Sequence, residues 1–262
     1  MRRSLIFPIL LFLSFVLTAA EVYSQAELFE SKVFLTADGD SLLYRVMYPA
    51  EMEPGTEYPL VLFLHGAGER GNDNNAQLKW GVLKFAEEEF RSKHPAIVIA
   101  PQAPENEYWA NPVWRDEGSA LLEEPTRPLA AVYELLNAYL EEQPIDENRI
   151  YVTGLSMGGF GTWDLIVRYP GLFAAAVPIC AGGDVSKAPL IKDVPIWAFH
   201  GAKDEVVAPH YSRDMIAAIR EAGGLPGYTE YPDVAHDSWI PAYNDSYMLE
   251  WLFSQVRDGG VE

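Results

Sequence analysis

Gly154-Leu155-Ser156-Met157-Gly158 lies between a β-type run, Arg149-Ile150-Tyr151-Val152-Thr153, and a helix-like one, Phe160 to Val167. A serine held between strand and helix by a tight glycine turn is a strong architectural constraint. Its hydroxyl stands at a strained turn above a sheet, and the flanking glycines are needed because a side chain there would strike the strand or the helix. The arrangement is that of a nucleophile elbow. With 20 glycines in 262 residues, the bare five-letter pattern is a weak signal, so its partners have to be found elsewhere in the chain.

Hydrophobic periodicity places the elbow in an alternating α/β chain. Lys32 to Thr36 and Ser41 to Tyr48, joined by Ala37-Asp38-Gly39-Asp40, read as an antiparallel hairpin at a sheet edge. Pro59 to Leu64, Ala96 to Ala100, Ile150 to Thr153, Ala174 to Ile179 and Pro195 to Phe199 are near-continuous apolar runs, as strands buried on both faces should be. Helical candidates separate them at Gln77 to Ser92, Pro128 to Glu142, Gly159 to Tyr169 and Ser212 to Ala222, and a final strand and helix follow at Tyr228 to Tyr231 and Tyr243 to Val256. The expected fold is therefore α/β, with a mostly parallel central sheet, an N-terminal antiparallel hairpin and helices on both faces.

Residues 1–20 read as a secretory signal: Arg2 and Arg3, an apolar run from Leu5 to Leu17, then Thr18-Ala19-Ala20. The run is shorter than a membrane-spanning helix requires, so export without a stable membrane anchor is expected. Residues 21–262 are expected to form one domain, and the 49% hydrophobic content is enough to fill its core. Cys180 is the only cysteine, so no disulfide forms within the chain and stability falls to the core. A formal charge of −19 argues against nucleic acid or an anionic membrane as partner. Oligomeric state is not legible.

A serine hydroxyl is a poor nucleophile at neutral pH and needs a histidine base, itself held in one tautomer by a carboxylate. In α/β-hydrolases these follow the serine in the order acid, histidine, each at or beyond the C-terminal end of a strand. Of the histidines after Ser156, His200 ends an apolar run and reads as a histidine bonded within the strand end, while His210 opens a helix. His236 lies in a loop between the last strand and the last helix, where the base belongs. Asp204, beyond Phe199-His200-Gly201, is the expected acid, with Glu205 its nearest rival and Asp184 and Asp193 more distant ones. The oxyanion needs backbone N–H donors. Met157, directly after the serine, would give one, and Ala67, in the loop His65-Gly66-Ala67-Gly68 after the strand Pro59 to Leu64, the other. Histidines are too scattered for a helical zinc motif, so neither metal nor cofactor is expected, and Cys180 reads as a small buried hydrophobe.

His65-Gly66-Ala67-Gly68-Glu69-Arg70-Gly71, Ala100-Pro101-Gln102, the elbow with Gly159, His200-Gly201 with Asp204, and His236-Asp237-Ser238-Trp239 together resemble the secreted bacterial α/β-hydrolase esterases. The resemblance is to the phospholipase/carboxylesterase and dienelactone-hydrolase-like branches, which include feruloyl and acetyl esterases, and it covers almost all of the chain past the signal. Dienelactone hydrolases proper carry a cysteine where this chain has Ser156. The resemblance implies a serine carboxylesterase acting on a small-molecule or polysaccharide ester, with feruloyl or acetyl esters of plant polysaccharide as the expected substrates. A peptidase, a lipase-like enzyme and a catalytically silent carbohydrate-binding fold are the alternatives. Gln102 to Arg127 is a long acidic and aromatic loop, unlike the apolar lid of a lipase. On it Trp109 and Trp114, with Trp239 elsewhere, either offer rings to a phenolic acid or sugar or pin loops by packing.

Overall fold

A computed structural model describes residues 24–111 and 120–257. The signal segment 1–20 and Trp114 lie outside these residues. Eight strands form one sheet in the order β1-β2-β4-β3-β5-β6-β7-β8. They are β1 (Glu30–Leu35), β2 (Ser41–Met47), β3 (Tyr58–Leu64), β4 (Ile97–Gln102), β5 (Ile145–Leu155), β6 (Ala175–Ile179), β7 (Trp197–Gly201) and β8 (Gly227–Tyr231). The β1–β2 hairpin is antiparallel and joins the sheet through an antiparallel β2–β4 pair, as an edge hairpin should. Every other pairing is parallel.

The apolar strands are apolar because both faces are covered. Along β3, Leu60, Leu62 and Leu64 enter one core while Val61 and Phe63 enter the other, the period-two alternation of a pleated strand. The first core receives α2 (Arg127–Glu142), α3 (Met157–Arg168) and α4 (His210–Glu221), through residues such as Leu135, Phe160 and Met215. The second lies under α1 (Glu88–Lys93), α5 (Trp239–Tyr243) and α6 (Ser246–Ser254). The expected helix from Gln77 to Ser92 is instead two 3₁₀ turns followed by the short α1. Gly81 interrupts it: its φ is 78°, and a Cβ there would lie 2.4 Å from the Tyr243 ring, so the chain turns to let that tyrosine in. The last helix, expected from Tyr243 to Val256, is α6, which starts at Ser246 with Asp245 capping it by accepting from the Tyr247 N–H, and the short α5 precedes it. Among the described residues no helix is long and apolar enough to cross a membrane.

Because β3, β5, β7 and β8 run parallel, the segments that follow them emerge at one edge of the sheet. These carry His65 to Gly68, Ser156, Asp204 and His236 respectively.

Candidate active site

Ser156 stands between β5 and α3 with φ 52° and ψ −117°, a conformation that strains any residue with a Cβ. Its N–H donates to Ile179 O at 2.9 Å, which ties the turn to β6. The turn can be this tight because Gly158 lies against β3: a Cβ there would sit 1.9 Å from Leu64 O. The serine hydroxyl lies 2.9 Å from His236 Nε2, and His236 Nδ1 lies 2.7 Å from Asp204 Oδ2. Since a carboxylate can only accept, Nδ1 carries the proton and Nε2 is left to accept from the serine.

The acid and base are brought together by a backbone clasp. Ala202 N–H donates to Tyr231 O at 2.9 Å and Lys203 N–H to Val234 O at 3.0 Å, joining the loop after β7 to the loop after β8. Asp204 is buried. Its Oδ1 accepts from the Val206 and Val207 N–H groups, each at 2.9 Å. Burial acts to raise its pKa, but the bonds from His200, His236 and the Val207 N–H outweigh burial and hold the carboxyl well below the ordinary range. The rival acids are occupied or remote. Glu205 is exposed, Asp184 caps a 3₁₀ turn through the Ser186 N–H, and Asp193 pairs with Lys192.

Met157 opens α3 and Ala67 opens a 3₁₀ turn, and the first N–H groups of a helix lack an intrahelical acceptor. Both residues line one cavity with Ser156, of about 410 Å³, whose remaining wall includes Phe160, Val206, Val207 and Tyr108. The N-terminus of α3 adds its positive dipole end at the same place. His65 fixes the Ala67 loop from behind. Its Nδ1 donates to Gly66 O at 2.6 Å and its Nε2 accepts from the Ala103 N–H at 3.0 Å, so the ring is neutral. Burial drives its pKa down to about 4, with the charge of Arg70 pushing the same way against the bond to Gly66.

Of the tryptophans, Trp109 is buried, with its Nε1 donating to His65 O at 3.0 Å. It pins the long loop to the β3 end and has no face to offer a ligand, so of the two roles open to it from sequence Trp109 takes the packing one and not the stacking one. Trp239 is half-buried, edge-to-face against His236 with centroids 5.3 Å apart, so it braces the histidine. His200 is bonded within the strand end as expected: Nδ1 is 2.7 Å from Ser212 Oγ and Nε2 is 2.9 Å from Val207 O. Not anticipated was its approach to Asp204 Oδ2, at 3.3 Å. The signal for it was the spacing His200 to Asp204 in a turn that folds back on its own strand.

Among the described residues, Cys180, Asp204 and His236 are the one group of potential metal donors, with their ligating atoms within 4.8 Å of one another. Burial raises the Cys180 thiol pKa far above its usual value, which keeps it protonated, and Asp204 and His236 are already spent on each other. The arrangement is fit for moving a proton between Ser156 and His236 rather than for holding a cation.

A family model described as Phospholipase/Carboxylesterase matches residues 51–245. A crystal structure of a thermostable esterase is 44% identical, with a TM-score of 0.83, and the match covers 88% of this chain and 64% of that one. A solved ferulic acid esterase has a TM-score of 0.66 at 18% identity, covering 86% of this chain and 97% of that one, and so reports on the fold alone. A bifunctional acetylxylan esterase/xylanase from Neocallimastix patriciarum is 28% identical over 72% of this chain but only 26% of its own length. The chain thus spans about a quarter of that relative and less than two thirds of the thermostable esterase.

Proposed function

The chain belongs to the phospholipase/carboxylesterase family of α/β-hydrolases, and from that premise we propose that it is an exported serine carboxylesterase with Ser156, His236 and Asp204 as its catalytic triad. The observation that carries this reading is the continuous relay from Ser156 Oγ to His236 Nε2 at 2.9 Å and from His236 Nδ1 to Asp204 Oδ2 at 2.7 Å, opening on a cavity.

In the proposed reaction, Ser156 Oγ attacks the ester carbonyl carbon as its proton passes to His236 Nε2. Asp204 stabilises the imidazolium through Nδ1–H and keeps the ring oriented. The carbonyl oxygen, now an oxyanion, is met by the Met157 and Ala67 N–H groups. Collapse breaks the bond to the alcohol oxygen, which leaves with the proton from Nε2. A water then gives its proton to Nε2, attacks the acyl-enzyme and frees the acid, and His236 returns the proton to Ser156. The buried His65, Trp109 and Asp204 need not move for any step.

For substrate, we infer a feruloyl or acetyl ester on plant polysaccharide. The support is the signal-like N-terminus, which directs the protein toward an extracellular polymer, and the acetylxylan esterase among its relatives. Ser156→Ala should lower hydrolysis of p-nitrophenyl acetate by about 10⁴-fold or more. Retention of most activity would rule out the mechanism. Wild-type protein should release ferulate or acetate from arabinoxylan or acetylated xylan, and release of neither would remove the substrate assignment while leaving the mechanism standing.

A further inference from the structure

Arg70 lines the same cavity as Ser156 and is the one charged side chain among its lining residues. Two contacts fix its guanidinium in place. Its Nε donates to Ala67 O at 2.8 Å, and its central carbon lies 4.8 Å from the centroid of the Tyr108 ring. The chain is strongly acidic, and Arg127, Arg149, Arg168 and Arg213 each meet a carboxylate. Arg45, Arg70, Arg91, Arg220 and Arg257 meet none among the described residues, and of these five Arg70 is the one that lines this cavity. Its neighbour Glu69 is turned away, buried beside Gly66 and Trp80 on the inner side of the loop. With Nε engaged, Nη1 and Nη2 remain, a planar fork that matches the two oxygens of a carboxylate. Phe160 and Val207 give the same cavity an apolar wall beside the guanidinium.

We propose that Arg70, backed by Tyr108, is a carboxylate-binding subsite, so that the preferred ester carries a carboxylate near the bond it loses. The assignment rests on the serine esterase reading and narrows its substrate class. The carboxylate comes either from the acyl half, as in a hemiester of a dicarboxylic acid, or from the alcohol half, as in an ester of a hydroxy acid or of a sugar beside a uronate. Either source presents the same group to the fork.

Two matched pairs of esters test the proposal on the full chain. Mono-p-nitrophenyl glutarate against its methyl ester places the charge on the acyl half, and 3-butyryloxybutanoate against its methyl ester places it on the alcohol half. The readout is the ratio of kcat/KM for the charged member to that for the neutral one. In wild-type protein one pair should favour the charged member by about tenfold or more, and the ratio should narrow as ionic strength rises. The pair that responds identifies the half that carries the carboxylate.

Arg70→Gln also loses the contact to Ala67, so both members should slow. The ratio should nevertheless fall by about ten- to a hundredfold, the worth of a hydrogen-bonded charge pair. Arg70→Lys keeps the charge without the fork and should retain an intermediate ratio. Equal slowing of charged and neutral members in Arg70→Gln, or a wild-type preference for the neutral member in both pairs, overturns the subsite. Hydrolysis of the neutral esters that Ser156→Ala abolishes keeps the esterase reading intact in that event, and hydrolysis that survives Ser156→Ala counts against that reading instead.

Discussion

His200 Nε2 lies 3.3 Å from Asp204 Oδ2, the same oxygen that accepts from His236 Nδ1 at 2.7 Å. The carboxylate proposed as the triad acid is therefore held by a second, fully buried imidazole, itself anchored by Ser212, whose Oγ donates to Ala181 O at 2.7 Å. His200 Nε2 faces only acceptors, Val207 O at 2.9 Å and Asp204 Oδ2, so that nitrogen carries a proton directed at the carboxylate's side of the ring. Replacing His200 by Ala leaves a cavity and removes a partner from Ser212, Val207 and Asp204 at once. The expected cost is about 2–4 kcal/mol, measurable by urea unfolding. Activity should fall as well, because the carboxylate loses one of the contacts that aim it at His236. A variant as stable as wild type would mean that the buried bonds contribute nothing net.

His65 makes stability depend on pH in a window that an ordinary buried carboxylate does not. Its pKa falls from 6.5 to about 4 on folding because burial disfavours the charged ring. Between those values the unfolded chain binds a proton that the folded chain refuses. Stability from this group is thus complete above about pH 6.5 and is lost as pH drops toward 4, by about 3 kcal/mol across the window. Asp204 contributes with a different range: its depressed pKa means its share is present above about pH 4 and is lost only below that. Unfolding followed from pH 7 to 4.5 should show the slope in wild type and a shallower one in His65→Gln. Equal slopes would place the linkage on other groups.

Most of the fold and the order of the candidate triad were legible because they rest on short-range patterns. A strand covered on both faces must be apolar throughout, as β3 and β4 are, and a parallel sheet sends the segments after its strands to one edge. The elbow, the acid and the histidine all lie just past strand ends, so chain order alone brought Ser156, Asp204 and His236 forward. What escaped depends on where side chains turn after the chain has folded. Trp109 is buried because its indole reaches back to His65 across 44 positions. Gly81 breaks a helix for the sake of Tyr243, which lies far along the chain. Arg70 was visible only as part of a motif, and its place in the cavity follows from the turn that Ala67 begins.

Gly201 allows the acid and base loops to meet. A Cβ at that position would lie 2.0 Å from Ala235 O and 2.5 Å from Val234 O, both backbone atoms of the loop that carries His236. Backbone cannot swing aside as a side chain can, so Gly201→Ala must push the histidine loop away from Asp204. A displacement of about 1 Å in a catalytic group costs on the order of 10²-fold in rate. We expect kcat to fall by about that factor while the far-ultraviolet circular dichroism is unchanged, because the sheet itself is not disturbed. Wild-type kcat in this variant would show that the loop can be held by other contacts.

Ser156 should carry a measurable stability penalty for its position. Its φ of 52° with ψ of −117° is the mirror of an ordinary extended conformation, unfavourable for any residue with a Cβ and open to glycine. Such strain amounts to about 1–3 kcal/mol. Ser156→Ala keeps the Cβ and the strain, whereas Ser156→Gly removes both, at a cost of about 0.5–1 kcal/mol for the greater freedom of the unfolded chain. The difference leaves Ser156→Gly more stable than Ser156→Ala by up to about 2 kcal/mol. Both variants should be inactive on p-nitrophenyl acetate, so the comparison isolates backbone strain from chemistry. Thermal unfolding of the two side by side decides it: a glycine variant that melts below the alanine one would mean that the surrounding bonds, from Ser156 N–H to Ile179 O and from Phe160 N–H to Ser156 O, hold the turn without strain.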